Sequence, residues 1–160
     1  MTAGMSFVCG LAADTLVETP DGPMEIRKVV GKQIPVFTRD ATGRVRFRLM
    51  RDVVAQPAGS VWRVRLENGA SFRAVPRQGI FLTTLECVAL EDLRPGSLLC
   101  AAFFYPAGYR YETSTGEERL SQAGWQVESV EPAGEAELVT LRVLPEECFF
   151  VSAGVLLRSA

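Results

Sequence analysis

The chain has no histidine in its 160 residues. That absence excludes every Ser-His or Cys-His catalytic pairing, and with it the side chain that titrates nearest neutral pH. It also narrows metal chemistry. A structural zinc site would need all four cysteines, Cys9, Cys87, Cys100 and Cys148, as thiolates. They are widely spaced and form no C-x-x-C pair, so no metal is expected. Buried free thiols in a cytoplasmic setting are the expected state, with a Cys9–Cys148 bridge as the alternative should the chain ends meet. No glycine-rich phosphate loop is present, because Gly22, Gly31 and Gly43 fall in separate turns, and no cofactor is expected.

Long apolar runs are missing too. None approaches the ~20 residues needed to span a bilayer. The opening Met1-Thr2-Ala3-Gly4-Met5-Ser6 lacks the basic and apolar regions of a secretion signal. Net charge is only −2, which gives no broad footprint for nucleic acid. Neither membrane nor nucleic acid is an expected partner, and the expected location is the cytoplasm or an assembled particle. One local basic run stands out, Arg39, Arg44, Arg46, Arg48 and Arg51. It reads as the solvated side of a strand pair, with an acidic-partner patch as the alternative.

What is present is a succession of short strands punctuated by turns. Hydrophobic content of 48% and charged content of 22% suit an ordinary globular domain. Thr15-Leu16-Val17-Glu18-Thr19 alternates as a strand and Pro20-Asp21-Gly22-Pro23 turns. Arg44 to Leu49 and Val61 to Leu66 alternate charged and apolar residues. Asn68-Gly69 marks a hairpin, since both residues accept positive φ. Helix is scarce, the best candidate being Leu90-Glu91-Asp92-Leu93 before Pro95-Gly96. Residues 106–124 are polar and turn-rich and read as an inserted loop or hairpin. The end reads as three strands, Trp125 to Val130, Glu137 to Val143 and Phe149 to Leu157. The expected class is all-β and closed or nearly closed.

Four segments in order resemble the hedgehog/intein (Hint) family. Gly10-Leu11-Ala12-Ala13-Asp14-Thr15-Leu16-Val17 is similar to the opening block, in which a nucleophilic cysteine leads a small loop into Asp-Thr. Leu66 through Leu82 resembles the block that carries a threonine and, three residues later, a histidine. Val88 to Leu99 resembles the family's Leu-x-x-Gly-Asp turn, and Val139 through Ser159 its closing blocks, which end in His-Asn. The resemblance implies a flattened β horseshoe with its ends side by side at the centre. It implies an N-terminal arm over residues 1–9 and a single domain over residues 10–160.

The family reaction starts with attack of a thiol or hydroxyl on the preceding carbonyl, which needs proton transfer and oxyanion stabilisation. Aligned on Asp14-Thr15, the nucleophile position holds Gly10, the threonine position Val75 and the histidine position Gln78. The His-Asn pair reads Arg158-Ser159, followed by Ala160. Glycine has no nucleophile, glutamine exchanges no proton near neutral pH, and serine cannot form a succinimide. The resemblance therefore implies a degenerate site with no catalytic residues. Restoring the family residues through Val75→Thr, Gln78→His and Gly10→Cys is expected to leave the fold intact, on the view that these are small pockets near the ends. The alternative is Cys9 as a residual nucleophile, cleaving the Val8–Cys9 bond with added thiol. Asp14 with Glu146 or Glu147 is the one carboxylate pair that adjoining ends would form.

A scaffold without its reaction still offers a surface. Tyr105, Tyr109, Arg110 and Tyr111 are the interaction candidates, because tyrosine and arginine are enriched in interface hot spots. The competing reading is cross-hairpin packing. The expected function is a non-catalytic structural or protein-interaction module of a larger assembly, such as a virion or a secretion machine, and an oligomer is one expected form.

Overall fold

A computed structural model describes residues 7–101, 110–120 and 124–160. The architecture is all-β, as the strand-and-turn pattern predicts. Six strands form the larger sheet: β1 (Leu11–Ala12), β4 (Pro35–Arg39), β5 (Val45–Leu66), β6 (Ser71–Ala74), β9 (Leu98–Leu99) and β12 (Trp125–Val143). Their order across it is β4-β5-β6-β1-β12-β9. A smaller sheet joins β7 (Gly79–Phe81), β8 (Cys87–Ala89), β13 (Cys148–Phe150) and β14 (Leu156–Arg158) in the order β13-β14-β7-β8. Two hairpins complete it, β2 (Leu16–Thr19) with β3 (Gly22–Glu25) and β10 (Arg110–Glu112) with β11 (Glu118–Leu120). Among the described residues the only helical turns are 3₁₀, at Ile26–Val29 and Leu90–Asp92. The first lacks any sequence signal of capping.

Two very long strands shape the molecule. β5 runs 22 residues and β12 runs 19, and they pair antiparallel from Val127↔Leu66 to Val143↔Met50. Sequence alone divides each into separate strands. The interruptions, Pro57-Ala58-Gly59 and Pro132-Ala133-Gly134, are accommodated without ending the strands. Register shifts lie between Pro132 and Glu135 and between Ala136 and Leu138. Gly134 takes φ +77, so the extra residues are absorbed as bulges that bend the ribbon.

β1 is only two residues long but lies between β6 and β12, with Leu11 opposite Ala74 and Val139. Leu11, Ile26, Met50, Leu66, Leu141, Phe149 and Leu157 are fully buried and belong to one cluster. Each such side chain contributes about 1.5–3 kcal/mol on leaving water. A second cluster joins Cys100, Cys148, Phe150 and Leu156. No helix among the described residues is long and apolar enough to cross a membrane.

This topology brings the first and last described strands together. β1 enters the centre of the large sheet, β14 the centre of the smaller one, and the turn holding Gln78 joins β6 to β7 between them.

Candidate functional site at the chain ends

Gln78 is completely buried, at 0% exposure, and its carboxamide makes three hydrogen bonds. Its Oε1 accepts from the Gly10 N–H at 2.9 Å. Its Nε2 donates to the Arg158 carbonyl at 2.8 Å and to the Gly79 carbonyl at 3.0 Å. One partner is a donor and two are acceptors, so only one orientation of the amide fits. The turn that presents Gln78 is itself tied down. Gln78 N–H donates to Val75 O, Leu90 N–H to Gln78 O, and Val75 N–H to Gly10 O. One side chain therefore links residues 68 positions earlier and 80 positions later.

Gly10 faces Val75. A Cβ added at Gly10 would lie 2.9 Å and 3.2 Å from the two Val75 methyl groups. The position lacks a nucleophile and lacks space for one while valine is opposite. At position 10 this is tighter than the small pocket expected there.

Cys9 also lies in this cluster. Burial pushes its thiol up to about 11, while backbone hydrogen bonds from Leu141 and Ala160 pull the other way. At neutral pH the thiolate is then about one part in 10⁴ of the population. The sign of the pH effect follows. An unfolded chain releases this proton near 9.0, whereas the folded chain keeps it to about 11. The stability contributed by the protonated thiol is thus present below 9.0 and is lost as pH rises to about 11. Burial raises Cys87 and Cys148 in the same direction, so the readout is a difference. Melting curves should show the Cys9→Ala variant losing less stability than the parent across that alkaline window. Parallel pH profiles would disprove a buried Cys9 thiol.

Ser159, which the sequence reading aligns with the family's asparagine, is buried. Its Oγ accepts from the Val143 N–H at 3.2 Å and donates to the Ala160 carbonyl at 3.2 Å. Its N–H donates to Glu147 O and the Ala160 N–H to Leu141 O. The Arg158 side chain packs beside Gly79 and hydrogen-bonds Cys87. Cys9, Gly10, Val75, Gln78, Arg158 and Ser159 thus lie around the two chain ends. Their arrangement hydrogen-bonds and packs. It offers no imidazole and no ionised nucleophile at neutral pH.

Other sequence expectations fare differently. The carboxylates near the ends do not pair. Asp14 takes both oxygens to Arg73 Nη2 at 2.9 Å, and Glu146 is held by Arg48 at 2.9 Å and 3.0 Å, which lowers its carboxyl below the usual range. No Cys9–Cys148 bridge forms; all four thiols are free. Cys148 lies instead against Thr38, whose Oγ1 donates to Cys148 O at 2.6 Å. Of the basic run, Arg46 pairs with Asp40 and Arg48 with Glu146. Arg39 departs from the solvated pattern: its Nη1 reaches Cys100 Sγ at 3.1 Å and its Nε is buried. Arg39 stands opposite the exposed Val45, so register alone does not turn it inward. Arg110 is exposed and pairs with Glu118 at 3.4 Å, with half-buried Tyr111 beside it. Tyr105 and Tyr109 lie outside the described residues. The sequence reading missed Gly79, which the site needs. A Cβ there would lie 2.8 Å from Cys87 Sγ and 2.9 Å from Arg158 Cβ.

No protein-family model and no curated protein matches the sequence. Solved structures do resemble the fold. A DnaB intein from Synechocystis superposes with a TM-score of 0.74 at 11% identity, covering 95% of this chain and 99% of that one. The DnaX mini intein from Spirulina platensis gives 0.70 at 14% identity, covering 94% and 99%. The gp41-1 intein gives 0.62 at 18% identity, covering 94% and 98%. The chain therefore has the intein-like Hint fold over nearly its whole length.

Proposed function

We propose that this Hint-fold chain has lost backbone cleavage and splicing and serves as a structural or protein-interaction module of a larger assembly. The observation that carries the reading is the Gln78 carboxamide. Aligned with the family it falls at the position of the assisting histidine, and two of its three hydrogen bonds join the two chain ends while the third goes to Gly79 O. A group in that role holds the ends together and cannot shuttle a proton. Gly10 and Ser159 supply no nucleophile or cyclising amide at the neighbouring positions. The exposed β10–β11 hairpin, with Arg110 and Tyr111, is the proposed contact for a protein partner.

Residual thiol-dependent cleavage at Val8–Cys9 has one observation in its favour. The Cys9 sulfur sits where the ends meet, hydrogen-bonded by backbone groups of Leu141 and Ala160. Against it, burial holds the thiol protonated, and the cluster contains no imidazole to remove the proton.

The deciding experiment places a folded host protein ahead of Met1 and a second after Ala160. Intact mass is followed at neutral pH with added thiol. The expected result is one unchanged full-length mass. Loss of everything before Cys9 or Gly10, abolished by Cys9→Ala, would establish autoprocessing instead.

A further inference from the structure

A cavity of about 370 Å³ lies apart from the Gln78 cluster, with no lining residue in common. Its floor carries an unusual charge arrangement. Arg63 of β5 and Arg73 of β6 stand directly opposite each other in register, and both line the cavity. Opposed like charges are destabilising unless something neutralises them. Asp14 neutralises Arg73 through both carboxylate oxygens. The Arg63 side chain makes no ion pair or hydrogen bond among the described residues. Glu131 stands opposite Arg63 on the other neighbouring strand, but it makes no ion pair with it and does not line the cavity.

A second observation points the same way. Ser152 lines the same cavity, and its Oγ is buried with no hydrogen-bond partner among the described residues. Buried hydroxyls in folded proteins are nearly always satisfied, so an unpaired one on a residue that lines the same cavity as an unpaired guanidinium marks a place for an acceptor. Two guanidinium groups against one carboxylate leave a single positive charge. A monoanion matches that charge, whereas a phosphate dianion would exceed it and would confront Asp14. Carboxylate geometry also suits the guanidinium fork. The remaining walls include Leu16, Phe72 and Ala153, which offer apolar contact to a carbon stem. The volume falls in the lower part of the range for small-ligand sites.

We propose that this cavity binds an organic carboxylate, with the anionic end on Arg63 and Ser152 Oγ and the stem against Leu16 and Ala153. Two sources supply that chemistry, a free short-chain acid and the side chain of an acidic residue in a peptide. The site does not depend on whether the chain ends are inactive.

The test is an amide NMR titration of the whole chain with hexanoate, hexanamide, inorganic phosphate, and a short peptide carrying a central glutamate or glutamine. Saturable shifts at Leu16, Arg73 and Ala153 are expected with hexanoate and not with hexanamide. Arg63→Gln should weaken hexanoate by about tenfold or more, and Ser152→Ala by severalfold, since both remove donors to a charged acceptor. Both variants should melt like the parent, because Arg63→Gln relieves an opposed charge pair and Ser152→Ala removes an unpaired hydroxyl. Tighter binding of the glutamate peptide than of hexanoate assigns the site to a protein side chain; weaker or equal binding assigns it to a free acid. The proposal fails if no shift saturates, if hexanamide binds as well, if phosphate binds more tightly, or if Arg63→Gln retains the parent affinity.

Discussion

Replacing Gln78 with alanine should lower the unfolding free energy by about 3–5 kcal/mol, a large share of the ~5–15 kcal/mol typical of a domain. The side chain is completely buried and makes three hydrogen bonds to backbone groups. Truncation removes a partner from one N–H and two carbonyls, at about 1–3 kcal/mol for each group left unsatisfied. It also opens a cavity, which adds to the loss. Denaturant titration reads the effect as a lower midpoint at unchanged slope. The loss should fall unevenly. Hydrogen exchange at the Gly10 amide should accelerate more than exchange in the β4–β5 pair, because Gln78 links Gly10 to Arg158 and touches neither β4 nor β5. A drop below about 1 kcal/mol would mean that water replaces the amide at little cost, and the linking role would fail.

Gln78→Glu separates hydrogen bonding from shape. The glutamate has nearly the same volume, but once ionised it can only accept. It would then face the carbonyl oxygens of Gly79 and Arg158, which also only accept. Folding therefore favours the protonated acid and raises its folded-state pKa above the unfolded ~4.3. Its penalty is smallest below pH ~4.3 and grows as pH rises through that value, until the folded group ionises as well. Stability of the variant should approach the parent in acid and diverge toward neutrality. A constant difference across pH would mean that the amide is not positioned by donor and acceptor chemistry.

The sequence made the architecture legible because its signals are local. Alternation in Arg44 to Leu49, the Asn68-Gly69 turn, and Asp14-Thr15 ahead of a strand each fix a small element, and their order implies the Hint arrangement. The continuity of β5 and β12 was not legible. Pro57 and Pro132 carry the usual breaker signal, and only cross-strand pairing over the whole ribbon shows that bulges absorb them. The 3₁₀ turn at Ile26–Val29 was equally silent, having no side-chain cap. Residue identities at the chain ends could be read from order alone, and Cys9, Gly10, Val75, Gln78, Arg158 and Ser159 do gather there. What could not be read is distance. Nothing in the letters Gly and Val says that a Cβ at Gly10 would come within 2.9 Å of a Val75 methyl. Nothing in Gln78 says which three backbone groups it would satisfy. The inward turn of Arg39 and the unpaired side chains of Arg63 and Ser152 were not legible for the same reason: such a polar group is defined by its neighbours in space.

That difference between identity and distance yields the second large expected effect. Restoring the family set through Gly10→Cys, Val75→Thr and Gln78→His together should destabilise the chain by about 2–5 kcal/mol. The cysteine brings a Cβ into the Val75 methyl positions, and threonine keeps the same branched shape there, so the overlap remains. Overpacking of this kind costs about 1–3 kcal/mol. Neutral imidazole has one donor and one acceptor nitrogen, so it meets at most two of the three partners of Gln78. Double-mutant cycles can apportion the loss. Gly10→Cys combined with Val75→Ala should recover most of the Gly10→Cys penalty, giving a favourable coupling between two residues in contact. Gly10→Cys combined with Val139→Ala should show no comparable rescue, because Val139 is not among the atoms a Cβ at Gly10 would meet. If the triple variant matched the parent's denaturant midpoint, the ends would still have room for the reacting groups. The inactivity we propose would then rest on residue identity alone. If it falls as expected, the packing between β1 and β6 has itself closed over the place where a nucleophile would stand, and substitutions at the motif positions cannot reopen it without relief from Val75.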